Sequence, residues 1–104
     1  MTARANSQRG EVELRLGNNT HVLRPSFENL VAAEDELGSL FALVERAAEG
    51  AITLAEITSL LWHCLTNEPR PERDAFGQAV LQIGMVDATK PVRAILAQVL
   101  QGNA

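Results

Sequence analysis

The sequence predicts an α+β, mainly α fold, in which an N-terminal β-hairpin packs on a bundle of about five short helices. Three observations carry this. An alternating apolar/polar stretch surrounds a turn-forming cluster near the N-terminus. Apolar residues then recur at helical spacing in segments bounded by Ser, Thr, Gly and Pro. The 46% hydrophobic content holds only three Phe, one Trp and no Tyr, so Leu, Ala, Val and Ile must fill the interior, a mixture that suits helices better than an extensive sheet.

Glu11 to Arg24 alternates around Gly17-Asn18-Asn19-Thr20. With Asn18 and Asn19 at the turn centre, Leu16 faces His21, Leu14 faces Leu23, and Glu13 faces Arg24 as an opposite-charge pair. Val12, Leu14, Leu16 and Leu23 then share one face. A lone hairpin is marginal in water, so that face must pack on the helices that follow.

Ser26 caps a first helix carrying Phe27, Leu30, Val31 and Leu37, and Gly38 ends it. Ser39 caps a second, with Leu40, Phe41 and Val44, which stops at Gly50. Thr53 and Glu56 make the T-x-x-E capping box of a third, about Leu54 to Leu65. Its apolar residues Leu54, Ile57, Leu60, Leu61, Trp62, Cys64 and Leu65 cover roughly 200° of the circumference, so it is central to the fold or partly a binding face. The prolines of Asn67–Pro71 make that segment a connection. A fourth helix spans roughly Glu72 to Ile83, with Phe76, Ala79, Val80 and Ile83 in register. Pro91 suits the first turn of a fifth, whose Val92, Ile95, Leu96, Val99 and Leu100 form the stripe. The domain reading is a flexible leader over residues 1–9 and a single hairpin-plus-helices domain over 10–104, a size at which one core is expected.

The chain's chemistry points away from catalysis. Cys64 and His63 are adjacent, and neighbours on a helix project about 100° apart, so they do not form a nucleophile–base pair. Cys64 lies in the apolar arc, where a small buried thiol is the expectation. His21 at the hairpin turn and His63 off the arc fit surface or boundary roles. Glu34, Asp35 and Glu36 are consecutive on a helix and fan outward as a solvated face. No glycine-rich phosphate loop and no metal-ligand spacing is present, so no cofactor and no enzymatic activity are expected. A formal net charge of -4 argues against nucleic-acid binding, and Arg4 and Arg9 in a polar leader do not reverse it. No apolar run suits a membrane span or signal peptide, and the lone Cys fits a reducing compartment, so a cytoplasmic protein is expected. What remains is protein binding, with Leu60, Leu61 and Trp62 on the wide arc as the candidate interface; the only Trp of a small domain is more often core.

The order of the segments carries a resemblance. Arg9-Gly10-Glu11-Val12-Glu13-Leu14 opens the hairpin, Leu23-Arg24-Pro25-Ser26-Phe27-Glu28-Asn29-Leu30 forms the strand-to-helix junction, and a Glu-rich turn ends in Leu37-Gly38. This is similar to the small proteins of gene transfer agents and related tailed phages described as tail assembly chaperones or tail tube-associated. The G-E-V-x-L strand and the L-R-P-[ST]-F-x-x-L junction are the family's pattern, and the likeness runs through Leu60-Leu61-Trp62 and Val80 to Gly84 over nearly the whole chain after residue 9. The proline-rich Asn67 to Arg73 segment departs from it. The resemblance implies a cytoplasmic helper in tail assembly whose partners are the tape-measure protein, the tail tube protein, or both, with a homo-oligomer as a further possibility. A structural subunit retained in the virion tail is the alternative, and a cellular helical adaptor unrelated to phage a second.

Overall fold

A computed structural model describes Asn6 and residues 10–102. Apart from Asn6, the expected leader lies outside the described residues. The order is β1 (Val12–Leu16), β2 (Asn19–Leu23), α1 (Phe27–Leu37), α2 (Leu40–Ala48), α3 (Leu54–Cys64), α4 (Arg73–Ile83) and α5 (Met85–Gln101). The fold is α+β and mainly α, a two-stranded antiparallel hairpin followed by five helices.

The hairpin forms in a different register from the one expected: Val12 pairs with Leu23, Leu14 with His21 and Leu16 with Asn19. The turn centre is therefore Gly17-Asn18. Gly17 has φ +62° and, among the described residues, no non-glycine residue has positive φ, the signature of a type II′ turn with Gly at its first central position. An Asn18-Asn19 centre of type I′ would need positive φ at two side-chain-bearing residues. Because the shift is two residues, every side chain keeps its face, and Leu14, Leu16 and Leu23 are buried. The charge pair survives with a new partner: Arg24 binds Glu11 at 2.7 Å, not Glu13.

Three helix starts are fixed by local side-chain caps. The Asn29 amide donates to Ser26 Oγ (3.1 Å) and the Ala42 amide to Ser39 Oγ (3.2 Å). At Thr53 both bonds of the capping box are present, and Arg46 adds an ion pair to Glu56. α3 ends one residue earlier than expected, because Leu65 turns into extended backbone and pairs with Leu23. The Arg24 amide donates to the Cys64 carbonyl and the Thr66 amide to that of Val22, so the end of α3 is stitched to the hairpin edge.

The fifth helix departs most. It begins at Met85, immediately after Gly84, and Pro91 is its seventh residue and buried. Proline there removes one bond to the carbonyl four residues back. The preceding turn is held otherwise, by Ala88 N donating to Gly84 O (3.0 Å), Thr89 Oγ1 to Val86 O (2.7 Å) and the Lys90–Asp87 pair.

α3 and α5 are the central helices. α3 packs on α1, α4 and α5; α5 also contacts α2, α4 and β1. Leu23, Leu43, Ile57, Leu60, Leu61, Val80, Val92 and Ile95 form the fully buried centre. Phe27 and Phe41, expected on the inner stripes, lie outside, at 86% and 61% exposure. On α2 it is Leu40 and Leu43 that turn inward, which rotates Phe41 out.

Gly77, inside α4, faces Thr58 of α3, whose Cγ2 lies 3.5 Å from where a Cβ would sit. That is ordinary van der Waals contact, and glycine in a helix interior costs about 0.5–1 kcal/mol relative to alanine. Gly77→Ala is therefore expected to stabilise the fold by about 0.5–1 kcal/mol in chemical denaturation; a loss of stability would show that α3 and α4 need the closer approach.

Candidate functional site

The three residues singled out on α3 have different surroundings. Leu60 and Leu61 have 0% exposure, since α3 is covered on several sides at once, so neither touches a partner of the folded chain. Trp62 is half-buried and committed within the molecule. Its Nε1 donates to the Pro71 carbonyl (2.9 Å), while the guanidinium of Arg73 lies 4.3 Å and that of Arg70 5.2 Å from the ring centroid.

Arg73 continues into a polar network that sequence reasoning missed. Its two terminal nitrogens donate to the two carboxylate oxygens of Glu36 (2.8 and 3.1 Å), Ser59 Oγ donates to Glu36 Oε2 (2.6 Å), and His63 Nε2 lies 2.8 Å from Glu36 Oε1. Glu36, exposed as expected at 39% of its side chain, is also the hub tying α1 to α3 and to the start of α4. Bonding to Arg73, then to Ser59 and His63, lowers its carboxyl pKa to about 2. Arg73 is 37 residues away in sequence, so no local signal could reveal the pairing. The nearby hollow between α3 and α4, about 530 Å³, is lined by members of this network along with Leu54, Thr58, Gly77 and Leu81. The hydrogen bonds of Glu36, Ser59 and Arg73 run among themselves, while Arg73 Nε is buried with no hydrogen-bond partner among the described residues.

Cys64 and His63 do not cooperate. The thiol is buried and pushed up to about 12 by that burial, so it is protonated at neutral pH, and His63 faces Glu36 instead. His21 packs edge-on against Phe76 with 6.4 Å between centroids and lies 3.3 Å from Asn67 Oδ1, a boundary position. Among the described residues no His/Cys/Asp/Glu group could hold a metal ion, and no helix is long and apolar enough to cross a membrane.

The apolar surface with room for a partner lies between α2 and α5. A groove of about 430 Å³ is lined by Val44, Ala47 and Ala48 on one wall and Leu96, Ala97 and Leu100 on the other, with Arg93 and Gln101 at its margin. Leu100 is 50% exposed at one side, and Phe41, a turn before Val44 and Glu45 on α2, stands out at 61%. The alanines of both walls are short, so half-exposed Leu100 rises above them as a ridge. Its sequence signal was the Ala47-Ala48 pair on α2. The pairing of α2 with α5 was not visible in local periodicity.

No curated protein and no solved structure shows significant similarity to the chain. A family model described as "Phage tail tube protein, GTA-gp10" matches residues 9–102. That match embraces the hairpin, all five helices and the α2/α5 groove, and the chain belongs to this family of phage tail-related proteins of the gene transfer agent type.

Proposed function

We propose that the chain is a tail assembly chaperone, whose α2/α5 groove holds an apolar helical segment of the tape-measure or tail tube protein during tail morphogenesis. The observation that carries this is the groove itself, an apolar trough between α2 and α5 lined by Val44, Ala47, Ala48, Leu96, Ala97 and half-exposed Leu100 on a domain of net charge -4. An amphipathic helix lays its apolar face into such a trough, with anchor residues at helical spacing. Family membership supplies the setting, a phage tail. It also speaks against the cellular adaptor.

A second reading, a structural subunit retained in the particle, is favoured by the words "tail tube protein" in the family description. Permanent assemblies bury large apolar interfaces, typically about 2,000 Å² or more. The exposed large apolar residues are dispersed over α1 (Phe27, Val31), α2 (Phe41), the α4–α5 corner (Leu81, Met85, Val86) and the groove margin (Leu100). That dispersion supports transient over permanent contact.

Capture of tail proteins from a producing lysate by the tagged chain tests the proposal. Leu100→Asp is expected to reduce capture of the tape-measure or tube protein by about tenfold or more while, at a half-exposed groove position, changing stability by no more than about 0.5 kcal/mol. Equal capture by the folded variant would remove the groove from the proposal.

A further inference from the structure

We infer that the hollow between α3 and α4 is a second docking site, which takes an amphipathic helix of a partner protein by a lysine or arginine side chain. The inference stands apart from the α2/α5 groove, with which this hollow shares no lining residue.

The two helices that wall the hollow run antiparallel. Ser59 lies beside Arg73 (3.0 Å) and Thr58 beside Gly77, so Leu54 and Leu81 fall at the far end. One end is thus polar, made by Glu36, Ser59, Arg73 and Asp74, and the other is apolar, with Leu81 exposed.

The polar end is acidic and holds unused acceptors. Glu36 and Arg73 neutralise one another through their two-point pairing, which leaves the carboxylate of Asp74 as the charge of the hollow. Asp74 is exposed and forms no ion pair among the described residues. Gln78, one turn further along α4, shares its face and lines the hollow too. Between them and α3 lies Thr58, only 8% exposed. Its hydroxyl has no hydrogen-bond partner among the described residues, and Gly77 opposite it has no side chain to cover it. A buried polar side chain without a partner is uncommon in a folded protein. A carboxylate, a hydroxyl and an amide carbonyl gathered here all accept hydrogen bonds, and ammonium and guanidinium groups offer donors alone. An anion would be repelled by Asp74, and a wholly apolar occupant would bury Asp74 and Thr58 unpaired, at a cost in free energy.

The shape selects a helix, because a trough between two packed helices receives the side-chain ridge of a third. Asp74 and Leu81 are seven residues apart on α4, about 10 Å along its axis. The partner helix therefore carries its cation and an apolar residue about two turns apart on one face. A net charge of -4 favours the approach of such a cationic segment.

Selection from a display library of randomised helical peptides on the purified full-length chain tests the site, with the enriched peptides synthesised and titrated by fluorescence anisotropy. They are expected to carry Lys or Arg about two turns from an apolar residue on one face, and to shift the amide NMR signals of Ala55, Gly77 and Leu81. Asp74→Lys is expected to weaken their binding by about tenfold or more, because like charges then meet, and to bind instead a peptide whose cation is replaced by Glu. Thr58→Val keeps the side-chain shape without the hydroxyl. It is expected to preserve the circular dichroism spectrum and to weaken binding by about fivefold or more. A selection that yields no binder, yields acidic or wholly apolar helices, or yields peptides whose shifts fall on α2 and α5 would overturn the site. Full affinity in Asp74→Lys or in Thr58→Val would overturn it as well.

Discussion

Leu60→Ala is expected to destabilise the chain by about 2–5 kcal/mol, the cost of removing a large buried side chain and leaving a cavity. Leu60 has no exposed surface and sits on the helix that packs against α1, α4 and α5, so no neighbour can close the gap without leaving its own contacts. A domain of this size has about 5–15 kcal/mol of stability in all, so the variant should lose a large share of it. Its melting temperature should fall by about 4–8 °C per kcal/mol. Urea unfolding of wild type and variant checks this. A cost under about 0.5 kcal/mol, the range of surface substitutions, would mean that Leu60 faces outward and that the assignment of α3 to the core is wrong.

The chain should also lose stability in acid, and Arg73→Ala should remove much of that dependence. Glu36 has a folded-state pKa of about 2 against an ordinary value of 4.5. A carboxyl whose folded pKa is depressed contributes stability that is complete above its unfolded pKa and fades as pH falls through the folded one. The window is therefore from about pH 4.5 down to about 2. Glu56, lowered by the Thr53 amide and then by Arg46, acts in the same direction. Glu36 is partly exposed, so solvent screens its pairing and the contribution is modest. Arg73→Ala also strips the cation from the Trp62 ring and the bond to Ser59, and the combined loss at neutral pH is expected to be about 1–2 kcal/mol. Denaturation midpoints at pH 7 and across the acid range check both parts. If the variant keeps the wild type's full acid dependence, Glu36 does not carry it through Arg73.

What was legible in the sequence was what depends on residues close together in it. Ser26, Ser39 and Thr53 each cap through an amide three residues on, and Gly38 and Gly50 end helices at positive φ. The hairpin's faces were legible too, since apolar alternation fixes faces; its register was not, because that depended on whether Gly17 or Asn18 led the turn. Pro91 misplaced the start of α5. Locally Pro91 signals a helix start, whereas the burial of Pro91 and the side-chain bonds around Asp87 to Lys90 accompany the extra turns before it.

The functional surface was harder to see than the fold. A wide apolar arc directed attention to Leu60, Leu61 and Trp62, but width on a helix equally reports that it is surrounded. Leu60 and Leu61 proved to be enclosed, and the indole of Trp62 is engaged by Arg70, Arg73 and Pro71. The groove arises from two helices about 50 residues apart in the chain, each with an ordinary pattern, and only their packing leaves Leu100 outside. Glu36 tells the same story for the polar network: three consecutive acids look alike until the fold brings Arg73 to one of them.

The most direct test of the chaperone account is quantitative mass spectrometry of purified particles beside the lysate in which they assemble. The account predicts that the chain co-purifies with the tape-measure or tube protein in the lysate and is absent from finished tails. Stoichiometric presence in finished tails would contradict it and make the chain a structural subunit.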